Sequence, residues 1–212
     1  MRAQRTQAPT RHARRGFTLI ELLVTLAVAS MLVVVAVPNF QAFVNSSRLA
    51  GAANEMIASL QLARAEAIRR NGRAGVCMSS GTAGGDTASC ATGAAVDGWI
   101  AFVDANEDGD YDKDDDDTFL RGTMLDGPMG VDVSPAISAN KVASVIFRPD
   151  GLARNENSGG GPGTGLLDGA LRLCIATTRP PNNARDVQIV SGSRIAAVQV
   201  DGGGACAAPA NP

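Results

Sequence analysis

Histidine is almost absent from the 212-residue chain, and the single one, His12, lies close to the N-terminus. Catalytic arrangements of the Ser-His-Asp or Cys-His kind are therefore excluded from the rest of the sequence. Carboxylates are plentiful but crowd one segment, where a solvated face is more common than an acid/base pair. The sequence argues against an enzyme.

Aromatic residues are also scarce, with six Phe, one Trp and one Tyr against 24 Gly. This composition indicates many turns and a modest core. After the N-terminal apolar segment and the helix predicted to follow it, about 140 residues remain, which is the size of one globular domain.

Acidic residues are missing from the first 20 positions, whereas five arginines precede the apolar run: Arg2, Arg5, Arg11, Arg14 and Arg15. The run itself, Phe17 to Val37, has 21 residues and one charge, Glu21. At about 1.5 Å per residue it just spans a hydrocarbon core of roughly 30 Å. We predict a transmembrane helix whose N-terminal side stays in the cytoplasm, because an excess of arginine favours that side.

A secretory signal peptide has the same polarity and is the first alternative. Its apolar region usually has about 7 to 15 residues and ends at a small-residue cleavage site. Here the run is longer and the small residue, Gly16, precedes it. Glu21 is the stranger feature, because a carboxylate within a membrane span costs on the order of 2.5 to 3.5 kcal/mol. It is therefore a candidate functional residue.

The stretch from Arg15 to Glu21, RGFTLIE, resembles the type III signal of type IV pilins and type II secretion pseudopilins. The resemblance implies that a prepilin peptidase cuts between Gly16 and Phe17 and methylates the new N-terminus, so that residues 1–16 are a leader. It also implies an assembly role for Glu21. In a filament its carboxylate would meet the terminal amine of a neighbouring Phe17, since a buried charge needs a buried partner of opposite sign. An uncleaved signal anchor is the alternative.

Beyond residues 17–37, the apolar pattern becomes a stripe at spacings of three and four, which predicts one face of a helix. The stripe is Leu49, Ala53, Met56, Leu60, Ala63 and Ala67. We therefore predict an amphipathic second half of the stem helix, residues 38–71, which ends at Asn71-Gly72 and packs on the chain's own sheet. In the pilin family, Pro38 falls where stems typically carry a kink.

Short apolar runs bounded by turn residues predict strands in the remaining domain, residues 72–212. The predicted strands are 74–78, 98–104, 142–147, 171–176, 186–190 and 194–200, and the glycine-rich stretch 159–165 is predicted to be a flexible loop. The predicted fold class is α+β, with a long N-terminal helix packed on an antiparallel β-sheet. Trp99 and Phe102 lie on opposite faces of one predicted strand, and both are predicted to be core residues.

Three motifs, one at the end of the stem and two in the domain, resemble the GspH/FimT branch of minor pilins. They are Gln61, Ala63, Arg64, Glu66 and Ala67 at the end of the stem; Gly98, Trp99, Phe102 and Asp104; and Phe147, Pro149 and Gly151. The resemblance implies a subunit that primes or caps a type II secretion pseudopilus or a type IV pilus. Its implied partners are other pilins through their stems, the prepilin peptidase and the inner-membrane assembly platform.

Four cysteines follow the apolar run, on the side assigned to the periplasm, where disulfides persist. Four cysteines allow three pairings, and the sequence cannot choose among them. We favour Cys77 with Cys90 and Cys174 with Cys206, because each pair brackets a glycine-rich segment and closes a short loop. A zinc site is disfavoured, since no C-x-x-C spacing occurs and the single histidine lies in the leader.

The segment from Asp104 to Asp117 holds nine acidic residues and one lysine. Its candidate oxygen ligands fall at the spacing of an EF-hand loop, with Gly109 at the sharp turn. They are Asp104, Asn106, Asp108, Asp110, Asp112 and Asp115. Ca²⁺ is the cofactor that this spacing suggests. Two features differ from an EF-hand: the last ligand is Asp instead of Glu, and a predicted strand precedes the loop where an EF-hand has a helix. A solvated acidic loop is the alternative, and without an ion we expect it to be mobile.

Nucleic acid is the less favoured partner. Without the leader arginines the chain has 14 basic and 21 acidic residues, whereas nucleic-acid-binding domains usually carry an excess of basic residues. Some FimT-type subunits are linked to DNA uptake through a C-terminal G-R-x-R motif, and the matching stretch here, Ser193 to Ala196, keeps only Arg194. Losing one of a few phosphate contacts lowers affinity.

Overall fold

The computed structural model describes residues 16–80, 87–91, 96–140, 142–156 and 162–212. The chain forms two compact units, one up to Phe40 and one from Gln41 to Pro212. One helix, α1 (Leu19–Arg70), contributes to both, and Pro38 lies inside it. Within its described residues, the second unit adds ten strands and a short α-helix, α2 (Pro135–Ser138), to its part of α1.

The strands form two four-stranded sheets and one two-stranded ribbon, and every pairing is antiparallel. The first sheet has the order β3-β2-β1-β5, with β1 (Arg73–Ser79), β2 (Gly98–Asp104), β3 (Thr118–Met124) and β5 (Ser144–Phe147). The second has the order β10-β9-β8-β4, with β4 (Met129–Val133), β8 (Gly169–Ile175), β9 (Ala184–Val190) and β10 (Arg194–Val200). The ribbon pairs β6 (Arg154–Glu156) with β7 (Pro162–Leu166).

The main core joins the α1 stripe to one face of both sheets. All six residues of the predicted stripe are buried, which confirms that this half of the helix packs on the chain's own strands. Trp99 lies in this core, and its indole Nε1 donates to Ser59 Oγ on α1 at 3.0 Å. Ser59 Oγ in turn donates to the carbonyl of Glu55, so the hydroxyl links the strand to the helix.

A smaller core lies on the other face of the first sheet. It contains Cys77, Ile100, Phe102, Tyr111, Val142 and Ile146. Trp99 and Phe102 are therefore both buried in hydrophobic cores, on opposite faces of β2. This is the arrangement that the alternation of side chains along a strand predicts. Tyr111 contacts Phe102 and Phe119 edge to face, with ring centroids 5.8 and 6.2 Å apart, which ties the acidic segment to this core.

The α+β class is confirmed, and β2 and β10 begin and end where the sequence predicts. Helix α1 ends at Arg70, and Asn71 has the left-handed φ of 51° that a helix stop requires. The prediction of a flexible loop at 159–165 is wrong for Pro162 to Gly165, which belong to β7; residues 159–161 lie outside the described residues. The strand predicted at 142–147 begins only at Ser144.

Candidate functional site

The N-terminal motif lies where α1 begins. Gly16, Phe17 and Thr18 precede the helix, so the predicted cleavage bond is in non-helical backbone. The Glu21 amide donates to Thr18 Oγ1 at 3.3 Å, and the Leu22 amide donates to the Thr18 carbonyl at 3.2 Å. Thr18 thus caps the helix, and T-x-x-E is the capping-box pattern. Our sequence reasoning missed this cap, although its signal is present.

The cap gives Glu21 a local role. It lies in the first turn of α1, where unpaired backbone N–H groups and the helix dipole favour a negative charge. The start of the helix therefore offsets part of the cost of an acid in an apolar segment. Phe17, next to the predicted cut, is 81 % exposed. The arginines of the leader lie outside the described residues.

The apolar part of α1 presents its side chains on all sides. Every side chain described between Phe17 and Val37 is exposed. The two hydroxyls in this part donate to their own helix, Thr25 Oγ1 to the Leu22 carbonyl at 2.9 Å and Ser30 Oγ to the Ala27 carbonyl at 2.8 Å. Such internal pairing is what a bilayer demands of polar groups. Among the described residues, one helix is long and apolar enough to cross a membrane, and it is α1.

Asp104, the first candidate calcium ligand, already forms an ion pair with another residue of the chain. The β1–β2 register places it opposite Arg73, and the two buried side chains form an ion pair at 2.9 Å. Its carboxylate also accepts from the amides of Asp108 and Gly109 at 3.1 and 3.2 Å. Burial raises the pKa of Asp104 to about 6, although the Arg73 guanidinium opposes this shift.

The other candidate ligands bond mainly to backbone amides of their own loop. Asp108 Oδ1 accepts from the Asp110 amide, and Asp112 Oδ1 accepts from the Asp114 amide, both at 3.0 Å. The side-chain amide of Asn106 donates through Nδ2 to Asp115 Oδ2 at 3.1 Å. In the described part of the chain, no three acidic, Cys or His side chains are grouped so that they could hold a metal. The calcium site stays a prediction, and this arrangement does not assemble its six ligands.

Both disulfides join the cysteines that the sequence favours. Cys77 is bonded to Cys90, and Cys174 is bonded to Cys206. The second bond fastens the C-terminal tail, residues 201–212, to β8, and Arg172 Nη1 adds a hydrogen bond to the Ala207 carbonyl at 3.0 Å. Arg172 itself holds Asp186 with two bonds of 2.7 Å. The tail is thereby held against the outer face of the second sheet.

Arg194 is the first residue of β10, an edge strand, and its side chain is exposed. Arg172, another arginine of the C-terminal region, is engaged by Asp186 and is not available for a phosphate. The structure therefore does not gather these arginines into one phosphate-binding surface. Contact with DNA through Arg194 stays a prediction.

Comparisons with known proteins bear on both parts of the chain. The family model described as type II transport protein GspH matches residues 52–204, and the one described as the prokaryotic N-terminal methylation motif matches residues 11–37. No curated protein matches the chain. Among solved structures it is similar to the type IV minor pilin FimU of Pseudomonas aeruginosa, with 16 % identity, 73 % of this chain and 90 % of that chain covered, and a TM-score of 0.45.

Proposed function

Because the chain belongs to the GspH family of type II transport proteins, we propose that it is a minor pilin or pseudopilin that helps to initiate or cap a filament. The filament is a type II secretion pseudopilus or a type IV pilus, and the family's description favours the first. The chain is not an enzyme in this proposal. Its partners are other pilins, the prepilin peptidase and the inner-membrane assembly platform.

One observation carries this proposal: the apolar part of α1, up to Val37, is exposed on every described side and bears a single carboxylate, Glu21, close after the predicted cut. Cleavage before Phe17 would create a positively charged amine next to the apolar surface. In a bundle of stems, that amine on one subunit and Glu21 on the next neutralise each other. The exposed apolar side chains then pack against neighbouring stems after they leave the lipid.

In this proposal the chain is anchored in the bacterial inner membrane and its second unit is periplasmic. The leader arginines support this orientation by the positive-inside rule. The disulfides support it as well, because all four cysteines are bonded and such bonds persist outside the cytoplasm.

Processing is tested by the intact mass of the full chain, expressed with and without an active prepilin peptidase. We expect a mature protein that begins at Phe17 and carries one added methyl group. Gly16→Leu should block the cut, because it places a bulky side chain at the scissile bond. A mature protein with any other first residue, or an uncut chain beside an active peptidase, would contradict the proposal and support an uncleaved anchor.

Assembly is tested with Glu21→Ala, and Glu55→Ala is the matched control on the same helix. We expect Glu21→Ala to insert into the membrane normally and to be depleted from filaments at least tenfold, because the neighbouring amine loses its partner. Glu55 pairs with Arg121 on the chain's own β3, so its removal should leave assembly unchanged. Incorporation of Glu21→Ala at the wild-type level would remove the carboxylate from the mechanism.

A further inference from the structure

The two four-stranded sheets have four edge strands, and three of these carry features that oppose further pairing. Strand β3 has a register shift where it faces β2, and it contains Gly122 and the charged Arg121. Strand β5 has only four residues, and Phe147 at its end is bridged to Ala153. Strand β4 has five residues and includes Asp132. Bulges, charges and short length are devices by which natural proteins protect sheet edges from other chains.

The fourth edge strand, β10, has none of these features. Its seven residues, RIAAVQV, pair with β9 without a register shift. It contains no glycine or proline, and its one charged residue, Arg194, stands at its start. The other residues are uncharged, and Ile195, Val198 and Val200 among them have the β-branched side chains that favour strands. The strand is therefore a regular template along its whole length.

The outer edge of β10 is unpaired in the part of the chain that the structure describes. Every hydrogen bond found there for its backbone belongs to the ladder with β9. In an antiparallel ladder, alternate residues direct their N–H and C=O groups to opposite edges, so about half of these groups in β10 face away from β9. Such groups are open to hydrogen bonds from another strand.

The side chains of β10 are open on both faces of the sheet. Four consecutive residues, Ala196 to Gln199, are exposed, and Val198 is 42 % exposed. Successive side chains of a strand point to opposite faces, so neither face is covered at this point. Ile195, by contrast, packs against the main core and fixes the start of the strand. An incoming strand would therefore cover apolar side chains on both faces, in addition to the backbone.

The charges along β10 indicate the chemistry of the partner. Arg194 is exposed and forms no ion pair with any described residue, so an acidic residue opposite it would be stabilising. From Ile195 to Val200 the strand is uncharged and favours an uncharged, β-branched partner. A second copy of the chain fits less well. In a two-fold symmetric antiparallel pair, residues an even number of positions apart face each other, so Arg194 could not face Asp201.

We propose that the free edge of β10 accepts an extended, uncharged segment of another protein as a fifth strand of the second sheet. The segment runs antiparallel to β10 and places an acidic residue opposite Arg194. Backbone hydrogen bonds supply the affinity, and the side chains along β10 supply the selectivity. The proposal goes beyond the filament role and depends on neither cleavage nor assembly, so its failure would leave the proposed function untouched.

The test uses the full chain in detergent micelles and a synthetic peptide, Val-Thr-Val-Thr-Val-Thr-Glu, with both ends blocked. Bound antiparallel, its residues face Val200 to Arg194 in order, with the glutamate opposite Arg194. Fluorescence anisotropy of the labelled peptide measures affinity, and hydrogen exchange followed by NMR measures the protection of each amide. We expect slower exchange at alternate residues of β10 and no change along β3, the other edge strand of seven residues.

Methylation of peptide nitrogens separates backbone pairing from side-chain contact. Methyl groups on one alternate set of nitrogens remove the donors that face β10, which should weaken binding by roughly tenfold or more. Methyl groups on the other set face solvent and should leave the affinity nearly unchanged. Equal effects of the two sets would overturn the proposal, because a paired strand has one bonded edge and one free edge.

The charge of Arg194 provides a matched comparison. A peptide that ends in lysine instead of glutamate should bind roughly fivefold more weakly, because like charges then face each other. Arg194→Glu should invert this preference, whereas Arg121→Glu on β3 should leave it as in the wild type. Trp99 fluorescence checks that each variant is folded.

Three results would count against the proposal. Exchange that stays unchanged at every β10 amide, up to the solubility limit of the peptide, would remove β10 as a binding edge. A wild-type preference in Arg194→Glu would contradict the antiparallel placement and the acidic partner residue. Slow exchange along β10 without peptide, increasing with protein concentration, would show that a second copy of the chain occupies the edge instead.

Discussion

The two halves of α1 are one continuous helix with different surroundings. From Leu19 to Val37, the described apolar side chains are exposed on every face. In Gln41–Arg70, a stripe of six apolar residues is buried against strands of the same chain, and the other faces carry most of the charged residues of the helix together with exposed Phe43 and Ile68. Both halves are rich in apolar residues, but only the second finds its partner within the molecule.

The difference shows that the arrangement of apolar residues, more than their number, indicates the partner. A stripe fits one sheet face, whereas a helix that is apolar all round needs lipid or several other helices. Substitutions in the second half should therefore change the free energy of unfolding of the domain. Those in the first half should change insertion or assembly and leave that free energy unaltered.

The largest expected effect on stability is that of Leu60→Ala. Leu60 is fully buried in the main core, so its truncation should lower the free energy of unfolding by about 2 to 5 kcal/mol. Leu26→Ala, at an exposed position of the first half, is the matched control and should change it by less than about 0.5 kcal/mol. Urea unfolding of the full chain in detergent, followed by Trp99 fluorescence, measures both. Equal losses for the two leucines would contradict the contrast between the halves.

A smaller effect is expected from the serines of the two halves. Ser59 and Ser30 both donate to a carbonyl of their own helix, but only Ser59 also accepts from the Trp99 indole. Ser59→Ala leaves that indole N–H buried without a partner, which should cost about 1 to 3 kcal/mol. Ser30→Ala should be neutral in the same unfolding assay. A neutral Ser59→Ala would show that the indole finds another acceptor.

Much of this fold could be predicted from periodicity. The stripe from Leu49 to Ala67 and the strands β2 and β10 needed only spacing and turn residues. Strands β3, β4, β6 and β7 were missed: three of them contain glycine, β6 has only three residues, and none is a continuous apolar run. Neighbouring strands stabilise them through registers that no local pattern records.

The site was predictable where its signal is local. The motif from Arg15 to Glu21 could be read from neighbouring residues. The sequence favoured one of three cysteine pairings without fixing it, and the structure contains the favoured one. The ion pair of Asp104 with Arg73 could not be read from neighbouring residues, because the β1–β2 register brings together residues that are far apart in the chain. For the same reason, the spacing of the acidic segment suggested a calcium loop without showing that its first ligand is already engaged.

The smallest expected effect concerns the ion pair between Glu55 on α1 and Arg121 on β3, whose side chains are each 46 % exposed. Exposed pairs contribute about 0.2 to 1 kcal/mol, and salt screens them. A double-mutant cycle of Glu55→Ala and Arg121→Ala should therefore give a coupling free energy of that size, which vanishes in 1 M salt.

Glu21→Ala should leave the unfolding free energy unchanged, because Glu21 belongs to the uncovered half. A stability loss for Glu21→Ala as large as the one for Glu55→Ala would mean that the first half also contributes to the folding of the domain.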